Sequence, residues 1–341
     1  MSDIAPLERL SRVLADQPVD RAPVICTGGM MNAAVVQVMD ENGPTLPEAH
    51  FDAEGMAELA QRVHAATGFE NLGVPFCMTV EPEVLGSRID PGTLSCEPKI
   101  AEEAFASCGA VEFRDVKKII REGRIATVVQ AAHFLKKRNP DTPVIASLSG
   151  PVSTAASVVT PLTFLKELRS RPQDAHRVLD YVTRLLVAYA QEVIDNGADV
   201  IAIGDPTATG EILGPRIFED FAVRYLNQVC DAVHASGKQV IVHICGDMSK
   251  SRDKLAALHA DAISVDALVN LKKLKEDFPQ INTMGNVSTS LLEFGDAEKV
   301  SRNTARLVRD GIDIISPACG LSTSTGLHNI RALTGTAKGH A

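Results

Sequence analysis

What most restricts the fold of this chain is a repeated alternation between short apolar, β-branched runs and longer amphipathic stretches. The runs are APVICTGG (22–29), NLGVPF (71–76), PVIASLSG (143–150), DVIAIGD (199–205), QVIVHICG (239–246), DAISVDA (261–267), INTMGNVS (281–288) and DIISPACG (313–320). Near-continuous apolarity is what strands covered on both faces require, and parallel sheets flanked by helices bury their strands in that way. Between the runs, one helical pattern spans 172–197 and ends at Gly197, while another begins with Pro215 and stops at Gly237. Proline is favoured in a first helical turn and glycine just past the last. Eight strand-then-helix units predict an α/β fold, a (β/α)8 TIM barrel, with a doubly wound open sheet as the alternative arrangement of the same units.

The stretch 77–142, between the second and third runs, is too long for one crossover helix. RIDPGTLSCEPKI (88–100) reads as an extended excursion, and 115–141 as two helices broken near Gly123. With no internal repeat, low-complexity tract or linker, residues 1–341 are expected to form a single barrel domain that carries an N-terminal extension and an insertion around 77–142.

Composition narrows the function. A net charge of −9, 4% aromatics and no Trp leave neither a basic footprint nor a stacking platform for nucleic acid. No run approaches the roughly 18 uncharged apolar residues that cross a bilayer, and the first residues are amphipathic with no secretory apolar core, so no membrane partner and a cytoplasmic location are expected. Seven scattered cysteines suit reduced thiols better than a disulfide framework.

In a barrel the chemistry gathers where strands end. The fifth run closes with His243-Ile244-Cys245-Gly246, and residues two apart on a strand share a face, so His243 and Cys245 can hold one metal ion. Asp266 at the sixth exit and Cys319 at the eighth complete a plausible tetrahedral zinc set, thiolates favouring zinc over magnesium or calcium. The plainer alternatives are a buried thiol at 319 and a helix-capping carboxylate at 266. Asp205, at the fourth exit, either binds substrate or positions a loop, and Glu81 and Glu83 either handle protons or sit on a solvated loop. In TGGMMN (27–32), adjacent glycines let backbone approach a ligand and two methionines suit a flat apolar macrocycle, the alternative being a tight turn with core filler. Cys26, Cys77, Cys96, Cys108 and Cys230 lack partner spacing and are read as structural thiols, and no strand exit carries an obvious Lys or Arg.

These residues, together with PLERLSRVLADQPVDRAPV, PFCMTVEPEVLG (75–86), GDP (204–206), GP (214–215), VHICGD (242–247), SVD (264–266), MGNVS (284–288) and SPACGLSTSTGLHNIRA (316–332), resemble the corrinoid:thiol methyltransferase branch of the uroporphyrinogen decarboxylase superfamily. That group includes the methylcobamide:coenzyme M and chloromethane-utilisation methyltransferases. The resemblance runs nearly end to end and implies zinc on His243, Cys245 and Cys319. Asp266 becomes a candidate fourth, displaceable ligand, by analogy with cobalamin-independent methionine synthases. It further implies catalytic roles for Asp266, Asp205 and Glu81, and a corrinoid-facing surface formed by Thr27, Gly28, Gly29, Met30, Met31, Asn32 and Met78. The implied activity transfers methyl from a methylated corrinoid protein to a thiol such as coenzyme M. Tetrahydrofolate as acceptor, a decarboxylase-like lyase, and a silent corrinoid-docking protein are the alternatives. Against the lyase, the decarboxylases' Arg-bearing segment is TGGMMN here, Cys77 and Ser157 align with their essential Asp and Tyr, and Cys319 replaces a His. The nearest match to a cobalt-ligating D-x-H-x-x-G, Asp231 to Gly237, has one residue too many and reads as a helix end, so methylcobalamin is expected to come on a partner protein.

Overall fold

The computed structural model describes residues 4–39 and 43–339. In chain order the strands are β1 (Leu72–Val74), β2 (Arg88–Asp90), β3 (Lys99–Glu102), β4 (Val144–Ser149), β5 (Val200–Gly204), β6 (Gln239–Ile244), β7 (Ala262–Val265), β8 (Thr283–Val287) and β9 (Ile314–Pro317). Seven of them form one sheet in the order β1-β4-β5-β6-β7-β8-β9, every pairing parallel, while β2 and β3 make a separate antiparallel hairpin. Helices fill the connections, as parallel pairing demands.

The first apolar run, expected to be a full strand, is a single bridge instead: Val24 pairs with Ile315 of β9. It still sits between the two sheet edges. Ile25 N donates to Ile315 O (3.0 Å) and Ile315 N to Pro23 O (2.9 Å), while on the other side Glu70 N donates to Val24 O (2.8 Å). Asn71 completes the link with its side chain, accepting from Cys26 N (2.9 Å) and donating to Cys26 O (2.8 Å). The barrel is therefore closed by a segment whose contact with β1 runs largely through side chains, which is why a ladder does not form there.

Inside the barrel, Ile25, Met31, Ile145, Val200, Ala202, Ile241, Ala262, Met284 and Ile314 pack with Leu10, Val13 and Leu14. Those last three lie on the helix Pro6–Leu14, which plugs the end where strands begin: Gln239, first in β6, donates to Ser11 O (3.1 Å). The 77–142 stretch carries the hairpin and the helices Val80–Val84, Val116–Ile119 and Gly123–Arg138, with the helix break where it was expected. The helix Pro172–Asp195 also agrees with its pattern. The Pro215–Gly237 pattern does not form one regular helix. A turn capped by Thr209 precedes it, Gly214 (φ 70°) breaks the backbone, and Phe218–Val223 is a π-helical turn before the helix Arg224–Ala235. The widened turn accompanies burial of Phe218, Phe221 and Tyr225 on one face. Gly237 then follows the helix end with φ 72°, and His234 in its last turn bonds Asp261 (2.9 Å), the structural role its spacing suggested.

A buried ion cluster ties the plug to the closure. Arg9 reaches Asp20 through Nε (2.7 Å) and Glu70 through Nη1 (2.8 Å), and Glu70 also accepts from Arg21 (2.7 Å) and from Val24 N (2.9 Å). The Arg9 hydrogen bond holds the Asp20 carboxyl well below the usual carboxylate range. Burial raises Glu70, but the bonds from Arg21 and Val24 and both guanidinium charges leave it lowered overall. Groups depressed on folding contribute stability that is present above their unfolded pKa and lost as pH falls through the folded value. Urea unfolding is therefore expected to show stability constant near neutrality and falling below about pH 4, with a shallower fall in Asp20→Asn. Arg9→Ala, which removes the guanidinium from Asp20 and leaves Glu70 with Arg21 as its cation, should cost about 3–5 kcal/mol; a loss under about 1 kcal/mol would show the cluster is not the clamp.

Candidate metal centre

His243 lies one residue before the end of β6, in register with Gly204 of β5 and Ser264 of β7. Its side chain is 3% exposed, and Cys245, two residues on, shares its side of the strand. Cys319 arrives from beyond β9, where Ala318 N donates to Val287 O (2.8 Å). The close approach depends on Gly320: a Cβ there would lie 2.2 Å from Met30 O, so only glycine lets the TGGMMN segment cross beside Cys319. Gly29 meets a similar limit, with φ 57° and a Cβ that would lie 2.6 Å from Ser147 Cβ.

The ligand atoms of His243, Cys245 and Cys319 lie within 4.8 Å of one another, and the two sulfurs are 3.6 Å apart. Tetrahedral zinc with Zn–S bonds of about 2.3 Å would separate its thiolates by roughly 3.8 Å. The hydrogen bond shared by the two sulfurs lowers the Cys319 thiol and, with burial, raises that of Cys245. His243 Nδ1 is 2.9 Å from Ser264 Oγ, and Ser264 Oγ in turn donates to Met31 Sδ (3.7 Å). In the tautomer whose Nδ1–H donates to this serine, Nε2 carries the free lone pair. That Nε2 is buried with no hydrogen-bond partner. An orphaned imidazole nitrogen beside two thiols fits a zinc ion, and these three residues could hold one.

Asp266 stands outside this three-residue group. Its Oδ2 accepts from Cys245 Sγ (3.3 Å) and Gly246 N (3.4 Å), and Oδ1 from Leu268 N (3.0 Å). Asn286 holds the same turn by donating to Asp266 O (2.9 Å) and Val269 O (2.8 Å).

The remaining candidates divide. Asp205 is fully buried; burial pushes its carboxyl up to about 6, and it accepts from Ser153 Oγ (2.6 Å), Ser153 N (2.8 Å) and Val152 N (3.1 Å) at the start of the helix Pro151–Val158. Glu81, also raised by burial, accepts from Ser149 N (2.8 Å) and Oγ (3.1 Å). Both carboxylates thus hold the β4 exit. Glu83 pairs with buried Arg124 (2.6 Å), which also donates to Cys77 Sγ (3.3 Å). Thr27 O accepts from Ser147 Oγ (3.0 Å), and Met78 O from Ser149 Oγ (3.1 Å). Of the two methionines, Met31 belongs to the barrel interior, and Met30 borders the open cleft over Cys319. Gly28 and Met30 line a cavity of about 10 Å³ beside His243, with no room for a macrocycle. Asn32 donates to Glu97 (2.8 Å) on the hairpin.

The cleft over Cys319 encloses about 690 Å³ and is walled by the hairpin, by 289–293 and by 320–323. It corrects two expectations. Cys96, read as a structural thiol, is exposed and lines the cleft, and so does Lys99, a cation no strand exit supplies. Both come from the β2–β3 hairpin, whose folding over the barrel mouth leaves no periodic trace. Glu97 was missed for the same reason, and Glu293 because it lies on the short helix Thr289–Phe294 rather than at a strand exit.

The uroporphyrinogen decarboxylase (URO-D) family profile matches residues 5–340. The chain is 32% identical to the methylcobamide:CoM methyltransferase MtbA of Methanosarcina acetivorans, covering 100% of this chain and 99% of the relative. It is 30% identical to MtaA of Methanosarcina barkeri, also a methylcobamide:CoM methyltransferase, over 98% and 97%. Among solved structures, a methyltransferase from Methanosarcina mazei superposes with a TM-score of 0.92 at 29% identity, covering 99% of each chain.

Zinc titration of the purified protein is expected to show about one tight site, lost in Cys245→Ala and Cys319→Ala with the circular dichroism of the fold retained. Ser264→Ala should weaken zinc about 10–100-fold by freeing the imidazole to turn. Unchanged affinity in Ser264→Ala would show that Nδ1 does not set the tautomer.

Proposed function

As this chain belongs to the uroporphyrinogen decarboxylase family, we propose that within it the protein is a methyltransferase that moves a methyl group from a methylated corrinoid protein to a thiol acceptor. The observation that carries this reading is the meeting of His243, Cys245 and Cys319, the last of which opens onto the cleft, in a chain whose full-length relatives are methylcobamide:CoM methyltransferases.

Zinc bound by these residues would supply the Lewis acidity that keeps an incoming thiol as thiolate at neutral pH. The chain's own groups do the rest. Ser264 orients His243, so that Nε2 faces the thiols. Asp266 steadies Cys245, and its carboxylate is the group we assign to yield when a thiol enters, since its other contacts are single backbone N–H bonds. In the transfer the acceptor sulfur gives an electron pair to the methyl carbon, the cobalt–carbon pair stays with the corrinoid, and the thiol proton leaves through the cleft. Asp205 and Glu81 act as positioning residues, because backbone N–H groups already occupy them. Leu94 and Phe294, the latter 81% exposed, adjoin the cleft residues Ser95 and Glu293, and we assign this rim to the corrinoid protein. The free thiols suit a reducing compartment, and none of the described helices is long and apolar enough to cross a membrane.

A lyase reading has less to work with. Where decarboxylases place an Asp, Cys77 is buried and accepts bonds from Arg124 and Thr79 (3.4 Å).

Mixing the protein with methylcobalamin and a small thiol should bleach the methyl-cobalt spectrum. Cys319→Ala should slow this at least about 100-fold, and Asp266→Ala should change the acceptor KM more than the zinc content. Demethylation with tetrahydrofolate and with no thiol would move the acceptor assignment, and decarboxylation of a porphyrinogen by the metal-free protein would replace the reading.

A further inference from the structure

The cleft over Cys319 has a charge pattern that selects among thiols. Its titratable walls are Glu97, Glu293 and Lys99. Glu97 Oε1 accepts from Asn32 Nδ2 (2.8 Å) and Glu293 Oε1 from Ser324 Oγ (2.7 Å), so neutral groups hold both in place. Among the described residues neither carboxylate has a Lys, Arg or His partner, whereas Lys99 Nζ lies 3.5 Å from Asp90 Oδ2 and the lysine side chain is 66% exposed. The remaining polar wall is hydroxyl, from Ser95, Thr289 and Ser290 among others. Below the cleft, Asp266 lies close enough to Cys319 to act on its thiol, and the orphaned Nε2 of His243, beside that cysteine, marks the end where sulfur would bind. The cleft walls thus present two carboxylates without a basic partner, Glu97 with its proton affinity raised by burial, and one lysine already shared with an aspartate.

We propose that the acceptor is a thiol carrying a protonated amine, an aminothiol or a zwitterionic amino-acid thiol, whose ammonium group sits between Glu97 and Glu293 while its sulfur meets the His243–Cys245–Cys319 cluster. The proposal rests on the methyltransferase reading and names its substrate class. A sulfonate or carboxylate at the far end of the thiol would face the same carboxylates and a net chain charge of −9. Coenzyme M, a sulfonated thiol, is therefore a poor fit to this cleft, although the relatives are named for it.

The test uses the zinc-loaded protein with methylcobalamin and a panel of cysteamine, homocysteine, 2-mercaptoethanol, 3-mercaptopropionate and 2-mercaptoethanesulfonate. For each thiol, kcat/KM is followed photometrically and affinity is measured by titration calorimetry. Cysteamine or homocysteine is expected to bind and react best. Because the thiols differ in intrinsic reactivity, the deciding quantity is the cysteamine-to-sulfonate ratio. It should fall roughly tenfold or more, in affinity and in kcat/KM, in the Glu97→Gln/Glu293→Gln double variant, and should shrink in the wild type as salt is raised. Preference for 2-mercaptoethanesulfonate, or a ratio unmoved by the double variant, would overturn the aminothiol assignment and leave the methyltransferase standing. Turnover with tetrahydrofolate and none of the thiols would overturn both.

Discussion

The carboxylate of Glu70 gathers Arg9, Arg21 and the backbone N–H of Val24 into one buried cluster, and the barrel depends on it. Without a full strand in the first position, the sheet's two edges would be joined only by the bridge of Val24 to β9 and the few bonds to β1. Burying charges is costly, and such a cluster is tolerated only where nearly every donor and acceptor is matched. Here the matching draws on the plug helix through Arg9, the first segment through Asp20 and Arg21, and the approach to β1 through Glu70 itself. The consequence appears at the opposite end of the barrel. Holding residues 20–26 in place launches TGGMMN across the mouth, where Met30 O passes against Gly320 and Met31 Sδ receives the Ser264 hydroxyl.

That hydroxyl links packing to chemistry. Ser264 Oγ meets Met31 Sδ in the barrel interior and His243 Nδ1 at the strand exit, so interior packing holds the imidazole, and Nε2 is left without a hydrogen-bond partner beside the thiols. Around this centre the other carboxylates are spent on scaffolding. Asp205 and Glu81 satisfy backbone N–H groups at the exit of β4, where an irregular turn would otherwise leave buried donors unpaired. Their raised proton affinity follows from that burial.

The β2–β3 hairpin gives the open barrel mouth a wall. It brings Cys96, Glu97 and Lys99 to the cleft, and Asn32 anchors it from the first segment.

The barrel was legible because parallel strands buried on both faces must be apolar throughout, and seven of the eight apolar runs are strands. The H-x-C pair was legible too, since the two-residue period of a strand places His243 and Cys245 on one side. Cys319, 74 residues away, could be joined to them only through the barrel's order of exits and the family's motifs. Tertiary structure alone decided the rest. Whether the first run pairs as a ladder depended on Asn71 and Glu70, which answer its backbone from another element. Whether Asp205, Glu81 and Met31 face a ligand or the scaffold depended on which N–H or hydroxyl lay nearest. Glu97 and Lys99 reach the cleft on a hairpin with no apolar period to announce where it folds, and Glu293 on the short helix Thr289–Phe294. Periodicity records which face of an element is buried, but a carboxylate's role is set by partners that lie far away in the chain.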